Sequence, residues 1–155
     1  MLKYFKENQL VQYVEKQPKD WQEAVRVSCQ PLIEGHYITD DYANEIVNNV
    51  VEHGPYIVIA DQIAMPHALA ESPGVLGTGI SFTKFQEPVH FYDEKLGEDK
   101  YATLFFTLAA KDADSHLKNI QDLMELLMNE EAVAALLATH SKADYEQVLS
   151  EFGDV

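Results

Sequence analysis

The sequence predicts an α/β domain of three layers, a central mixed β-sheet flanked by helices on both faces. Three observations predict it. Segments of helical period alternate with extended segments along all 155 residues, a length that fits one domain. Two apolar runs, Tyr56–Ala60 and Ala102–Ala110, are continuous, as in strands covered on both faces. The stretch that begins with the first run stops at Pro66 and delivers His67 to a loop; the second leads through a short polar turn to His116. In α/β sheets reactive groups collect where strands end and helices begin.

The elements follow in order. Leu2, Phe5, Leu10, Val11 and Val14 recur at near-helical spacing, which predicts a first helix over roughly Leu2–Lys16, broken by Gln17-Pro18-Lys19. Asp20 caps a second helix, with Glu23 three residues on. Trp21, Ala24, Val25, Ser28 and Leu32 line its inner face, and Glu34-Gly35-His36 ends it. Thr39 or Asp40 caps a third helix with the stripe Ala43, Ile46, Val47 and Val50. Gly54-Pro55 punctuates, and Tyr56–Ala60 reads as a buried strand that delivers His67 to a loop. The turn Glu71-Ser72-Pro73-Gly74 precedes a strand over Gly77–Phe85 and a short one over Val89–Tyr92. Leu96-Gly97-Glu98-Asp99-Lys100 is a polar loop before the Ala102–Ala110 strand. Asp112 or Asp114 caps a helix from about Ser115, with Leu117, Ile120, Leu123, Met124 and Leu127 as its stripe. Asn129 separates it from a short helix over Glu130–Thr139, and Ser141 and Asp144 open a last one through Val148 and Leu149.

Bulk properties narrow the function. The chain is 46% apolar and 24% charged, an ordinary globular composition. Its net charge of −15 and single arginine, Arg26, argue against a nucleic-acid partner, since phosphate backbones are held by lysine and arginine. An acidic surface suits basic protein partners and also serves solubility. Cys29 is the only cysteine, so it forms no intramolecular disulfide; on an apolar helix face it reads as a small buried hydrophobe. The first residues lack the long apolar core of a signal peptide, and no apolar run is long enough to cross a bilayer, so a cytoplasmic location with no direct membrane insertion is expected.

Imidazole can act as nucleophile, general base or metal ligand. His67 and His116 are the candidates because both sit at strand–helix junctions. His36, His53, His90 and His140 read as surface or capping residues. No His-x-x-x-His, His-Glu-x-x-His or cysteine pair marks a zinc site. No Gly-x-Ser-x-Gly elbow or glycine-rich phosphate loop is present. Asp61 and Asp112 either act with a histidine or serve as turn and cap residues.

Ile63-Ala64-Met65-Pro66-His67-Ala68 resembles the "IA-x-PH" phosphorylation motif of enzyme IIA domains of the mannitol/fructose class, part of the phosphoenolpyruvate-dependent sugar phosphotransferase system. Asp20-Trp21-Gln22-Glu23-Ala24, Gln30-Pro31-Leu32 and Gly54-Pro55-Tyr56-Ile57-Val58-Ile59-Ala60 resemble its ascorbate-specific branch. The segment Ala109–Leu117 resembles the one holding the family's second active-site histidine. The likeness spans essentially the whole of residues 1–155. It implies a phosphotransferase with a phosphohistidine intermediate and no cofactor or bound metal. His67 would accept a phosphoryl group from the phosphocarrier HPr and pass it to a cysteine of a cognate enzyme IIB, which serves a membrane enzyme IIC. His116 would stabilise the phosphoryl group. Backbone N–H groups beside His67 and at the helix start near His116 are further expected donors. Met65, Ala68, Leu69 and Val75 are expected walls of a shallow apolar hollow.

The chain departs from that pattern. Relatives commonly carry Arg-Pro after His-Ala, where this chain has Leu69-Ala70, and mannitol-type members use an arginine near the site. A partner's basic surface would supply the positive charge instead, with Lys84 and Lys111 as weaker candidates. A regulatory interaction module that responds to phosphorylation is the alternative reading, and a small metal-dependent hydrolase a third.

Overall fold

The computed structural model describes residues 1–155. Five strands form one mixed sheet in the order β1-β4-β5-β3-β2. β4 (Gly79–Asp93) and β5 (Glu98–Ala109) are its long antiparallel centre, joined by the turn at Leu96-Gly97, where Gly97 takes φ 63. β1 (Val11–Tyr13) pairs parallel with β4 on one side. β3 (Gln62–Ala64) pairs parallel with β5 on the other, and β2 (Val58–Ala60) pairs antiparallel with β3 at the edge.

Alternation along the central strands explains the layers, because successive side chains point to opposite faces. Phe82 and Phe106 meet Phe5 of α1 (Leu2–Glu7), with ring centroids 6.1 Å away in each case. Phe82 also meets Tyr145 of α7 (Lys142–Phe152) at 5.3 Å. α5 (Ala113–Leu127) and α6 (Glu130–Leu137) complete this layer. On the opposite face Ser81 and Thr107 hydrogen-bond to Ser28 of α2 (Trp21–Ser28). α3 (Gln30–Glu34) and α4 (Asp40–His53) pack beside α2. The three-layer expectation therefore holds.

Several boundaries differ from the sequence reading, each for a local reason. The first helix stops at Glu7. Gln9 takes φ 58, and Leu10 to Val14 turn into a strand that satisfies its backbone against β4. The second helix breaks at Cys29, because Pro31 starts a new turn and cannot continue the old one. Gly77–Phe85 and Val89–Tyr92 are one strand, interrupted only by a bulge between Lys84 and Val89. The Ala102–Ala110 strand begins earlier, at Glu98.

Tyr56–Ala60 is not a buried strand. Only Val58–Ala60 is extended, it lies on the sheet edge, and Tyr56 and Ile59 are each 37% exposed. The inner strand is β3, reached through a tight reversal at Asp61-Gln62, with Gln62 at φ 68.

Cys29 is fully buried, and burial pushes its thiol up to about 12, so it behaves as the small hydrophobe expected. No helix is long and apolar enough to cross a membrane.

Candidate functional site

His67 and His116 come together because they follow adjacent parallel strands. β3 and β5 run side by side, with Ala64 opposite Phe105, and the Leu108 N–H donates to the Pro66 carbonyl at 2.9 Å. His67 thus leaves the sheet where β5 also ends. Asn119 of α5 donates to the Ala109 carbonyl at 3.1 Å and ties that helix to the same strand end. The His67 and His116 rings lie with centroids 5.6 Å apart, tilted by 40°. Both side chains are half-buried.

The hydrogen bonds of His67 fix which nitrogen is free. Nδ1 lies 2.6 Å from the Met65 carbonyl oxygen. A carbonyl only accepts, so Nδ1 carries the hydrogen and Nε2 keeps its lone pair. Burial lowers the His67 pKa below its ordinary 6.5; the Met65 hydrogen bond opposes this and His116 adds to it. The ring is accordingly neutral near pH 7 and presents an unprotonated nitrogen.

Two tyrosines hold the loop from below. Tyr42 of α4 is 1% exposed, and its hydroxyl donates to the Leu108 carbonyl at 2.8 Å while accepting the Ala68 N–H at 3.0 Å. The Tyr56 hydroxyl donates to the His67 carbonyl at 2.5 Å, and its ring meets the His67 ring edge-on at 5.3 Å. Asn49 of α4 lines the hollow with Tyr56, and Glu45 accepts from Ser72 at the far end of the loop. Tyr42, Glu45, Asn49 and His53 recur every three or four residues, so one face of α4 backs the whole segment. Sequence reasoning missed this face because it followed only the apolar stripe.

The site opens as a hollow of about 690 Å³ between the α4 end, the Tyr56 turn, the 67–71 loop and the first two turns of α5. Ala68 and Leu69 line it as expected. Met65 is buried in the core, and Val75 bridges to Ile38 outside the hollow, so these two are not walls. Leu117, expected on the inner stripe of α5, instead sits at the rim at 55% exposure, beside Leu69 at 75%. His53, assigned to the surface from sequence, also lines the hollow.

The expected donors sort into committed and free. The Ser115 N–H at the α5 start is taken by the capping carboxylate of Asp112 at 2.7 Å; this bond holds that carboxyl below the usual range. Asp112 is therefore a cap and Asp61 a turn residue. The Ala68 N–H is taken by Tyr42, whereas those of Leu69 and Ala70 make no hydrogen bond within the protein. No lysine or arginine lines the hollow. Arg26 binds Asn44 on the exposed side of α4, and Lys84 is buried in the β4 bulge. No group of three or more His, Cys, Asp or Glu side chains is arranged to hold a metal ion.

Comparison with known proteins adds an independent line. The family model "Phosphoenolpyruvate-dependent sugar phosphotransferase system, EIIA 2" matches residues 4–152. The chain is 39% identical over 132 residues to the mannitol-specific cryptic phosphotransferase enzyme IIA component of Escherichia coli (strain K12), covering 85% of this chain and 86% of that one. It is 30% identical over 132 residues to the ascorbate-specific PTS system EIIA component of the same strain, covering 84% and 83%. The solution structure of the mannitol-specific cryptic enzyme IIA from Escherichia coli superposes with a TM-score of 0.79 at 36% identity, covering 96% of this chain and 97% of that one. The Escherichia coli complex of mannitol enzyme IIA with phosphorylated enzyme IIB contains the same fold, with a TM-score of 0.72 at 23% identity and coverage of 92% and 94%.

Proposed function

The chain belongs to the EIIA 2 family of the phosphoenolpyruvate-dependent sugar phosphotransferase system, whose members are phosphotransferases, and from that premise we propose that His67 Nε2 is its phosphoryl acceptor. The single observation that carries the assignment is the Nδ1 contact to the Met65 carbonyl at 2.6 Å. It leaves Nε2 as a lone pair at the mouth of a hollow, with no proton to be removed before attack.

The reaction balances without a base. The P–N bond of phosphorylated HPr breaks as the Nε2–P bond of His67 forms, and the HPr imidazole leaves with its electron pair. Met65 keeps the Nδ1 hydrogen and shares the positive charge that develops on the ring. In the second step the Nε2–P bond breaks and a P–S bond forms on a cysteine thiolate of enzyme IIB. Phosphoryl transfer has a loose transition state, so positioning and charge compensation are the protein's main contributions. Tyr42 and Tyr56 position the loop. The free N–H groups of Leu69 and Ala70 and an N–H of His116 are the donors in the hollow available to the phosphoryl oxygens. The exposed Leu69 and Leu117 at the rim suit an apolar contact with either partner.

A cytoplasmic location follows from this reading, since HPr and the IIB partner meet the chain there, with enzyme IIC engaged only indirectly. The ascorbate reading of the sequence is supported by 30% identity to an ascorbate component, and a mannitol-type system by 39% to another relative. The larger identity favours a mannitol-type IIB as the cognate acceptor. Phosphorylated chain offered both kinds of IIB should discharge faster to the mannitol type; preference for the ascorbate type restores that assignment.

The phosphocarrier reading itself is tested by labelling from phosphorylated HPr. His67→Ala should lose all label while remaining folded, and a fully labelled variant would rule His67 out. A regulatory module is the second reading, favoured by the hollow's lack of lysine and arginine. It predicts that the phosphorylated chain keeps its label when IIB is added.

A further inference from the structure

A phosphoryl group on His67 brings close to two negative charges into the hollow. The one formal charge already in its walls, Glu71, has the same sign. Two wall residues besides His67 can carry a positive charge, His116 and His53. His116 sits beside the His67 ring on the opening turn of α5. His53 comes from the other side. It is the last residue of α4, where the helix macrodipole favours a cation, and it is exposed. Its nearest ionic neighbour is Glu52, at 3.9 Å on the same helix, too long for a fixed pair.

We propose that His53 is the charge partner of the transferred phosphoryl group: from the end of α4 its imidazolium meets the phosphoryl oxygens on His67. It thereby supplies the positive charge that no lysine or arginine of the hollow provides. The proposal rests on the phosphocarrier reading. The polar and titratable groups that share the hollow with His53 are Asn49 on α4, Tyr56 in the turn that follows, His67 and Glu71 on the loop, and His116 on α5, and Glu52 adjoins it on α4. Phosphorylation replaces a neutral ring among them with a dianion.

The test compares initial rates of transfer from phosphorylated HPr to the full chain as wild type, His53→Gln and His53→Arg, between pH 6 and pH 8.5. At pH 6 the Gln variant should be roughly fivefold slower than wild type, the scale of an exposed charge contact with a doubly charged partner. The gap should narrow toward pH 8.5, since only a protonated imidazole carries the charge. The Arg variant should keep the fast rate throughout, and all three should carry label on His67. Taking the ratio to wild type cancels the pH effects common to all three proteins. A ratio near one at every pH, or an Arg variant as slow as Gln, would overturn the role of His53 and leave the phosphocarrier reading intact. Failure of the wild type to label at all would remove both.

Discussion

Tyr42→Phe removes one oxygen from the middle of the molecule and asks whether the His67 loop is held as described. The ring stays, so packing is unchanged. What is lost is a hydroxyl that joins three elements: it belongs to α4, donates to Leu108 at the end of β5 and accepts from Ala68 beside His67. Tyr42 and Ala68 are both buried, so water does not replace it without a rearrangement. The Ala68 N–H and the Leu108 carbonyl then each lose a partner. A stranded buried polar group costs about 1–3 kcal/mol and local relaxation recovers part of the second, so the variant should lose about 2–4 kcal/mol. In a domain of this size that is a fall in Tm of roughly 5–15 °C. Urea unfolding measures the free energy, and hydrogen exchange at the Ala68 amide localises it. Transfer from HPr should slow as well, since a misplacement of about 1 Å at a reacting group can cost ~10²-fold. An unchanged urea midpoint together with a still-protected Ala68 amide would show that something other than Tyr42 holds the loop.

Three further outcomes are expected. His116→Ala should still bind HPr yet transfer ~10²-fold more slowly, the usual effect of losing one preorganised donor; wild-type exchange kinetics would reduce His116 to a surface residue. Raising ionic strength at subsaturating protein should slow transfer, because the −15 charge acts mainly on encounter with a basic partner face; a salt-independent rate would deny it that role. Because the His67 pKa is lower in the folded protein than the ordinary 6.5, the unfolded chain binds the extra proton first. Stability is then full above about pH 6.5 and declines as the pH falls toward the folded value. His67→Gln should flatten that acid limb in urea titrations, and an identical slope would contradict the lowered pKa.

The chemistry of this site was more legible in the sequence than its architecture. The histidine-bearing loop announced itself through Pro66-His67 after an apolar stretch, and the α5 start through Asp112. Asp20, Asp112 and Ser141 all cap as their spacing suggests, because capping depends on three or four neighbouring residues alone. Long-range pairing has no such local signature. Leu10 to Val14 suits a helix or a strand by pattern, and only the backbone of β4 decides between them. Tyr56–Ala60 is apolar enough for a central strand, yet it forms the sheet edge, and its neighbour β3 takes the inner place with three residues. The polar face of α4 went unread for a related reason. Tyr42, Asn49 and His53 acquire meaning only once the His67 loop is laid against them.

The central claim is that His67 Nε2 is the nucleophile because Met65 occupies Nδ1. The most direct test is phosphorus NMR of the chain after incubation with phosphorylated HPr, with histidine ring nitrogens labelled so that the phosphorylated atom is identified by its coupling. One phosphoramidate on His67 Nε2, with Nδ1 still protonated, is the predicted result. Phosphate on Nδ1, on His116, or on no histidine would contradict it.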